Sequence, residues 1–173
     1  MRSRETTRSL RLFGRNQNTP FIEVNIDGSF SPNKAGIGEV FRDHKGKSLL
    51  NFQVPVYAKD AIEAETMALY WAIKITVINR SKHLIAEMDS SQLVDYMTKR
   101  AVPPWHIQQW LIKLKQLCKE IKVEFSCIYR EGNRPANFLA IEGAASQRIN
   151  VSNKPPTSFA CLLLLLRFLM FGV

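Results

Sequence analysis

"FIEVNIDGSF", residues 21–30, has the two-residue period of a β-strand. Phe21, Glu23, Asn25 and Asp27 fall on one side and Ile22, Val24 and Ile26 on the other, and the strand runs into a carboxylate followed by glycine. Downstream, "KAGIGEVFRDHKGKSLLNFQVPVYA" (34–58) supplies two more strand-like runs around a turn at "DHKGK", where Gly46 offers a positive φ. "GIG" (36–38) precedes no helix and no Lys-Ser/Thr pair, so it is not a phosphate loop; flat packing against a neighbouring strand accounts for Gly36 and Gly38.

"KDAIEAETMALYWAIKITVINR" (59–80) reads as a long helix capped by Asp60. Three and four residues from Glu65 lie Ala61, Ile62, Ala68 and Leu69, so Glu65 sits inside the apolar stripe. Glu63 has Lys59, Asp60, Thr66 and Met67 at those spacings, with Tyr70 one turn beyond, a more solvated surrounding. An acid facing a core needs a cation, a donor or a raised pKa; an edge position reaching water is the plainer alternative.

"HLIAEMDSSQLVDYMTKR" (83–100) is a strand, then "DSS", then a short helix, with Asp89 at the carboxyl end of the strand, where open α/β sheets place ligand-binding groups; a simple helix cap is the alternative. "PPWHIQQWLIKLKQLCKE" (103–120) is an amphipathic helix with a proline start. "IKVEFSCIYRE" (121–131) is a strand, and "YREGNRPANFLA" (129–140) leads into the last helix.

The order predicts an α/β fold with three layers: a mixed five-stranded sheet, antiparallel meander first and parallel strands after a right-handed crossover, flanked by helices. Asp27, Glu65 and Asp89 then converge, and clustered carboxylates call for a divalent cation.

The chain has 173 residues, enough for one domain with tails. Its composition, 46% hydrophobic and 23% charged, is that of a globular protein, and a net charge of +9 with pI near 9.7 suits a polyanionic partner. Cys118, Cys127 and Cys161 form no CxxC pair and leave an odd count, which points away from zinc and from a disulfide framework, towards a reducing, intracellular setting, nuclear or cytoplasmic.

Residues 1–19 read as a basic, disordered leader without the apolar core of a secretory signal. Residues 20–147 are the expected domain. Residues 148–173 are a linker, including "SNKPPTS", and an apolar tail, "SFACLLLLLRFLMFGV". That tail contains Arg167 and falls short of the roughly 18–20 residues a spanning helix needs, so no stable membrane insertion is expected.

The stretches "VNIDGSF", "AGIGEVFRDHKGK", "AETMAL", "EMDSSQLV" and "YREGNRPANFLA", in this order over residues 21–146, make the chain resemble the type 1 ribonuclease H domain, particularly the form in plant reverse-transcriptase-related retroelements. The resemblance implies a monomeric, nucleic-acid-binding endonuclease in which four carboxylates hold two Mg²⁺ or Mn²⁺ ions and water cleaves the RNA strand of an RNA–DNA hybrid. Carried onto this sequence, the catalytic and metal-ligating positions are Asp27, Glu65, Asp89 and Asn137, the last an amide where relatives have an acid. Ser29, Asn33, Ser90 and Asn133 fall at substrate-binding positions, and Lys113, Lys115 and Lys119 are candidate phosphate contacts.

Cys127 stands where relatives commonly carry a histidine. An amide oxygen can ligate Mg²⁺ but lacks the charge, and a thiol replaces neither a neutral proton shuttle nor a hard ligand. The resemblance therefore implies either impaired hybrid cleavage or an inactive nucleic-acid-binding relic of a retroelement. His44, His83 and His106 are assigned to packing or surface.

Overall fold

The structure, a computed structural model, describes residues 21–146 and 148–152. Strands β1 (Ile22–Ser31), β2 (Lys34–Arg42) and β3 (Ser48–Val56) form the antiparallel meander. Helix α1 (Ala61–Ile78) crosses over to β4 (His83–Met88), which lies parallel to β1. Then come α2 (Ser91–Met97), a 3₁₀ turn (Trp105–Ile107), α3 (Gln108–Leu117), β5 (Lys122–Cys127) parallel to β4, and α4 (Arg134–Ser146).

A sixth strand, β6 (Asn150–Ser152), pairs antiparallel with β3, giving the order β5-β4-β1-β2-β3-β6. This corrects the expected five-strand count. Three residues are too few to show a period in the sequence, and they lie in the stretch read as linker. The basic leader and the apolar tail lie outside the described residues. Among those described, no helix is long and apolar enough to cross a membrane.

Helices cover both faces of the sheet, and two sets of glycines mark where. Gly28 pairs with Ile37, and a Cβ at Gly28 would overlap the backbone of α1 at Ala64 and Glu65. Gly36 and Gly38 flank Ile37 and therefore face the other way. A Cβ at either would overlap the backbone of α4 at Ala140 or Ala136. The close neighbour of Gly36 and Gly38 is thus a helix rather than the strand the sequence suggested, because small residues on both partners let helix and sheet approach at backbone distance.

With both faces covered, Val24–Asp27 and Ala35–Phe41 are buried along their whole length. The polar side of β1 is satisfied internally: Asn25 Nδ2 donates to Glu87 Oε2 (2.9 Å), and Arg42 donates to Asn25 Oδ1. The turn at residues 43–47 forms as read, with Gly46 at φ 81° and Asp43 Oδ1 accepting from the Lys45 and Lys47 amides.

Helix α1 departs from its reading in one respect. Glu63, assigned to the solvated face, is buried, whereas Glu65 is half-buried. Helix α3 packs on α1 opposite the sheet, so a face that looks polar in sequence becomes an interface between two helices.

Candidate metal centre

Three elements bring the acids together. The parallel register of β1 and β4 pairs Asn25 with Glu87, so Asp27 and Asp89 each stand two residues further along adjacent strands. Glu65 comes from α1, lowered onto β1 by the missing side chain at Gly28. One oxygen from each of Asp27, Glu65 and Asp89 lies within 4.8 Å of the others. Among the described residues, no histidine or cysteine joins them.

The electrostatics are those of crowded, desolvated acids. Burial, reinforced by the charge of Asp89, raises the Asp27 carboxyl from 3.8 to about 6, although hydrogen bonds with Glu65 and the Gly28 backbone pull the other way. Burial first, and then the charge of Asp27, push Glu65 well above the ordinary carboxylate range. Among the described residues, Glu65 Oε2 is buried with no hydrogen-bond partner. Hard oxygen donors in surplus, one of them lacking a donor, fit a hard divalent cation. The cluster opens into a cleft of about 510 Å³ lined by Ala61, Ile62, Ser90, Gln92, Cys127, Tyr129 and Arg130.

The residues after Asp89 hold it in place. Ser90 caps α2, its Oγ accepting from the Leu93 amide (3.3 Å), and the Ile128 amide bonds the Met88 carbonyl (2.9 Å), extending the β4–β5 pairing to the edge of the site. Arg130 Nε donates to Asp89 Oδ2 at 3.3 Å. The sequence reading missed this arginine. Its signal was its position directly after β5, on the same end of the sheet as Asp89.

Asn137 lies on the first turns of α4, half-buried, its amide bonded to the Asn133 carbonyl (3.0 Å). The residue before it, Ala136, covers Gly38, and Gly38 is the register partner of Asp27. Asn137 thus belongs to the helical turn above the first carboxylate. Asn133 is fully buried, and its Nδ2 donates to the Ile26 carbonyl (2.8 Å), fastening the start of α4 to β1 beside Asp27.

Ser29 is half-buried two residues beyond Asp27, and Asn33 is exposed in the β1–β2 turn, lining a second recess with Lys34 and Tyr57. Cys127 Sγ is 4.0 Å from the Asp89 carbonyl, and burial together with the Asp89 charge pushes its thiol up, so it stays protonated at neutral pH. His83 is buried 2.9 Å from Glu124 at the far end of β4, and His106 is 2.9 Å from Asp60. Lys113, Lys115 and Lys119 are exposed, with Lys113 stacked over Trp110.

Comparison with known proteins agrees with this architecture. RNase H1 from the halophilic archaeon Halobacterium salinarum superposes with a TM-score of 0.68 at 17% identity, over 71% of this chain and 96% of that one. The N-terminal RNase H domain of a Mycobacterium tuberculosis protein gives 0.69 at 19% identity, over 75% and 96%. LC11-RNase H1, isolated from compost by a metagenomic approach and solved with an RNA/DNA hybrid, gives 0.65 at 24%, over 74% and 98%. At these identities the likeness establishes the fold. No curated protein matches the sequence. The family model described as "Reverse transcriptase-like" matches residues 25–143, and the chain belongs to that family, with an RNase H-like domain.

Proposed function

We propose that this domain binds RNA–DNA hybrids and hydrolyses the RNA strand with the help of divalent cations, Mg²⁺ or Mn²⁺, at a rate lowered by Asn137 and Cys127. The observation that carries this reading is the convergence of Asp27, Glu65 and Asp89 within 4.8 Å at the mouth of an open cleft. Asp27, Glu65, Asp89 and the Asn137 amide oxygen are the groups that would hold the cation pair. When bound, such ions lower the pKa of water and offset charge on a scissile phosphate.

The chain's own contribution is placement. Gly28 brings Glu65 against β1, the Asn133 bracket sets α4 over Asp27, and Ser90 fixes the approach to Asp89. Ser29, Asn33 and Ser90 are proposed to contact substrate, and Lys113, Lys115 and Lys119 its phosphates. The excess of basic residues supports a polyanionic substrate, and LC11-RNase H1, solved with a hybrid, supports its class. We propose that residues 20–147 form the core of the domain, with β6 added at the sheet edge, and that it is a monomer derived from a plant-type retroelement.

The substitutions at Asn137 and Cys127 favour a second reading, a hybrid-binding domain without catalysis. One assay separates the two. Purified protein is incubated with end-labelled hybrid in Mg²⁺ and, separately, in Mn²⁺, with Asp89→Asn as control. Cleavage lost in the control supports the nuclease, whereas binding that weakens steeply with salt but yields no product supports the second reading. Absence of binding at low salt would sink both.

A further inference from the structure

We propose that α3 clamps the first turn of α1, and that Trp110, acting through Glu63, is a positioning residue for Glu65. This rests on the reading of Asp27, Glu65 and Asp89 as metal ligands.

The two carboxylates at the start of α1 tie its first turn together, and Glu63 also reaches α3. Asp60 caps the helix, its Oδ1 accepting from the Glu63 amide (2.9 Å), while its Oδ2 lies 2.9 Å from His106 Nε2 in the 3₁₀ turn. Glu63 reaches back, its Oε2 accepting from the Lys59 amide (2.7 Å), while its Oε1 accepts from Trp110 Nε1 on α3 (3.2 Å). A reciprocal cap is complete within one helix. Here Glu63 also grips the next layer, through Trp110.

The indole is held in turn. Tyr70 meets it edge-on with ring centroids 5.3 Å apart, and Lys113 Nζ lies 4.9 Å from its centroid. Positions two apart on a helix point about 200° away from each other, so Glu63 faces α3 while Glu65 faces β1. The turn bearing Glu65 is therefore held on one side by the backbone contact at Gly28 and on the other by Trp110. Losing the α3 grip would free the turn to lift from β1 and widen the carboxylate cluster, and ligand positions must hold to about 0.5 Å.

The test uses the full-length chain and Mn²⁺ alone, with binding measured by calorimetry and amide hydrogen exchange read across residues 61–67. Trp110→Phe keeps an aromatic ring beside Tyr70 and removes the donor. Ile75→Val, at the far end of α1 in the core, supplies a comparable loss of stability without touching the clamp.

The expected result is that Trp110→Phe weakens Mn²⁺ binding by about tenfold, the lower end for groups that hold a ligand in place. It should also speed exchange in the first turn, while Ile75→Val changes neither. Unchanged Mn²⁺ affinity in Trp110→Phe, or an equal loss in Ile75→Val, overturns the proposal and leaves the metal reading standing. A parent protein that binds no Mn²⁺, or binds it equally well as Asp89→Asn, overturns both, and is recognised before Trp110 is changed.

Discussion

A carboxylate oxygen of Asp27 and one of Glu65 lie within 4.8 Å of each other where Gly28 lets α1 rest on β1. Both carboxyls are raised in the folded protein, Asp27 from 3.8 to about 6 and Glu65 well above 4.5. The folded state therefore retains protons that the unfolded chain releases. The stability linked to this retention is full below about pH 4 and falls as pH rises through about 6 and beyond. A divalent cation replaces the protons. Mn²⁺ at millimolar concentration is expected to raise Tm at pH 7.5 and to have little effect at pH 5, measured by thermal unfolding. Asp27→Asn should stabilise the metal-free protein at pH 7 by on the order of 1–2 kcal/mol and abolish most of the Mn²⁺ effect.

Glu39 presents the same sign without a ligand to relieve it. It is fully buried on β2, in register with Ile26 and Phe52, and among the described residues neither carboxylate oxygen has a hydrogen-bond partner. Burial holds its carboxyl well above 4.5, favouring the neutral form in the folded protein. Its contribution is intact below about pH 4.5 and is lost progressively as pH rises above that. Glu39→Met should raise the urea midpoint at pH 7 and flatten the decline from pH 5 to 7, with little gain at pH 4. An unchanged pH profile would show that Glu39 is ionised in the fold.

Much of the sheet was legible because strand periodicity and turn chemistry are local. Asp43 and Gly46 mark one turn, and Asp60 marks the start of α1. Asp27, Glu65 and Asp89 were legible because each sits at a position that topology fixes: a strand end, a helix face, a second strand end. What escaped depends on contacts distant in sequence. Glu63 looks solvated until Trp110, 47 residues later, covers it. Gly36 and Gly38 look like strand-packing glycines until α4, a hundred residues away, lies on them. Arg130 meets Asp89 across 41 residues, and Asn133 meets Ile26 across 107.

The short strand β6 bears on where the domain ends. A fragment of residues 20–147 holds the meander, the crossover and all four helices, and is expected to unfold cooperatively without either tail. It leaves the outer edge of β3 at Asn51–Gln53 unpaired, whereas a fragment ending at residue 152 covers it. The longer fragment should therefore be more stable by about 1 kcal/mol and less prone to self-association, seen by denaturant titration and size exclusion. Equal stability would make β6 incidental to the fold.

The sharpest expectation concerns the two substituted positions. Restoring Asn137→Asp supplies a fourth charge on the turn of α4 above Asp27, and Cys127→His replaces a thiol that stays protonated at neutral pH by an imidazole that titrates there. A charged oxygen ligand and a positioned acid–base group act on the chemical step, whereas hybrid affinity rests on phosphate contacts spread along the basic surface. Hybrid cleavage in Mg²⁺ should rise at least about tenfold in the double variant, a fall of roughly 1.4 kcal/mol in the barrier. Affinity for the same hybrid should change by less than about twofold. Adding Asp89→Asn to that background should return cleavage to the level of the blank, since it removes one of the three clustered carboxylates while Ser90 still caps α2. A double variant that folds, binds Mn²⁺ and binds hybrid, yet cuts no faster than the parent, would mean that the defect lies elsewhere in the cleft and would favour the non-catalytic reading.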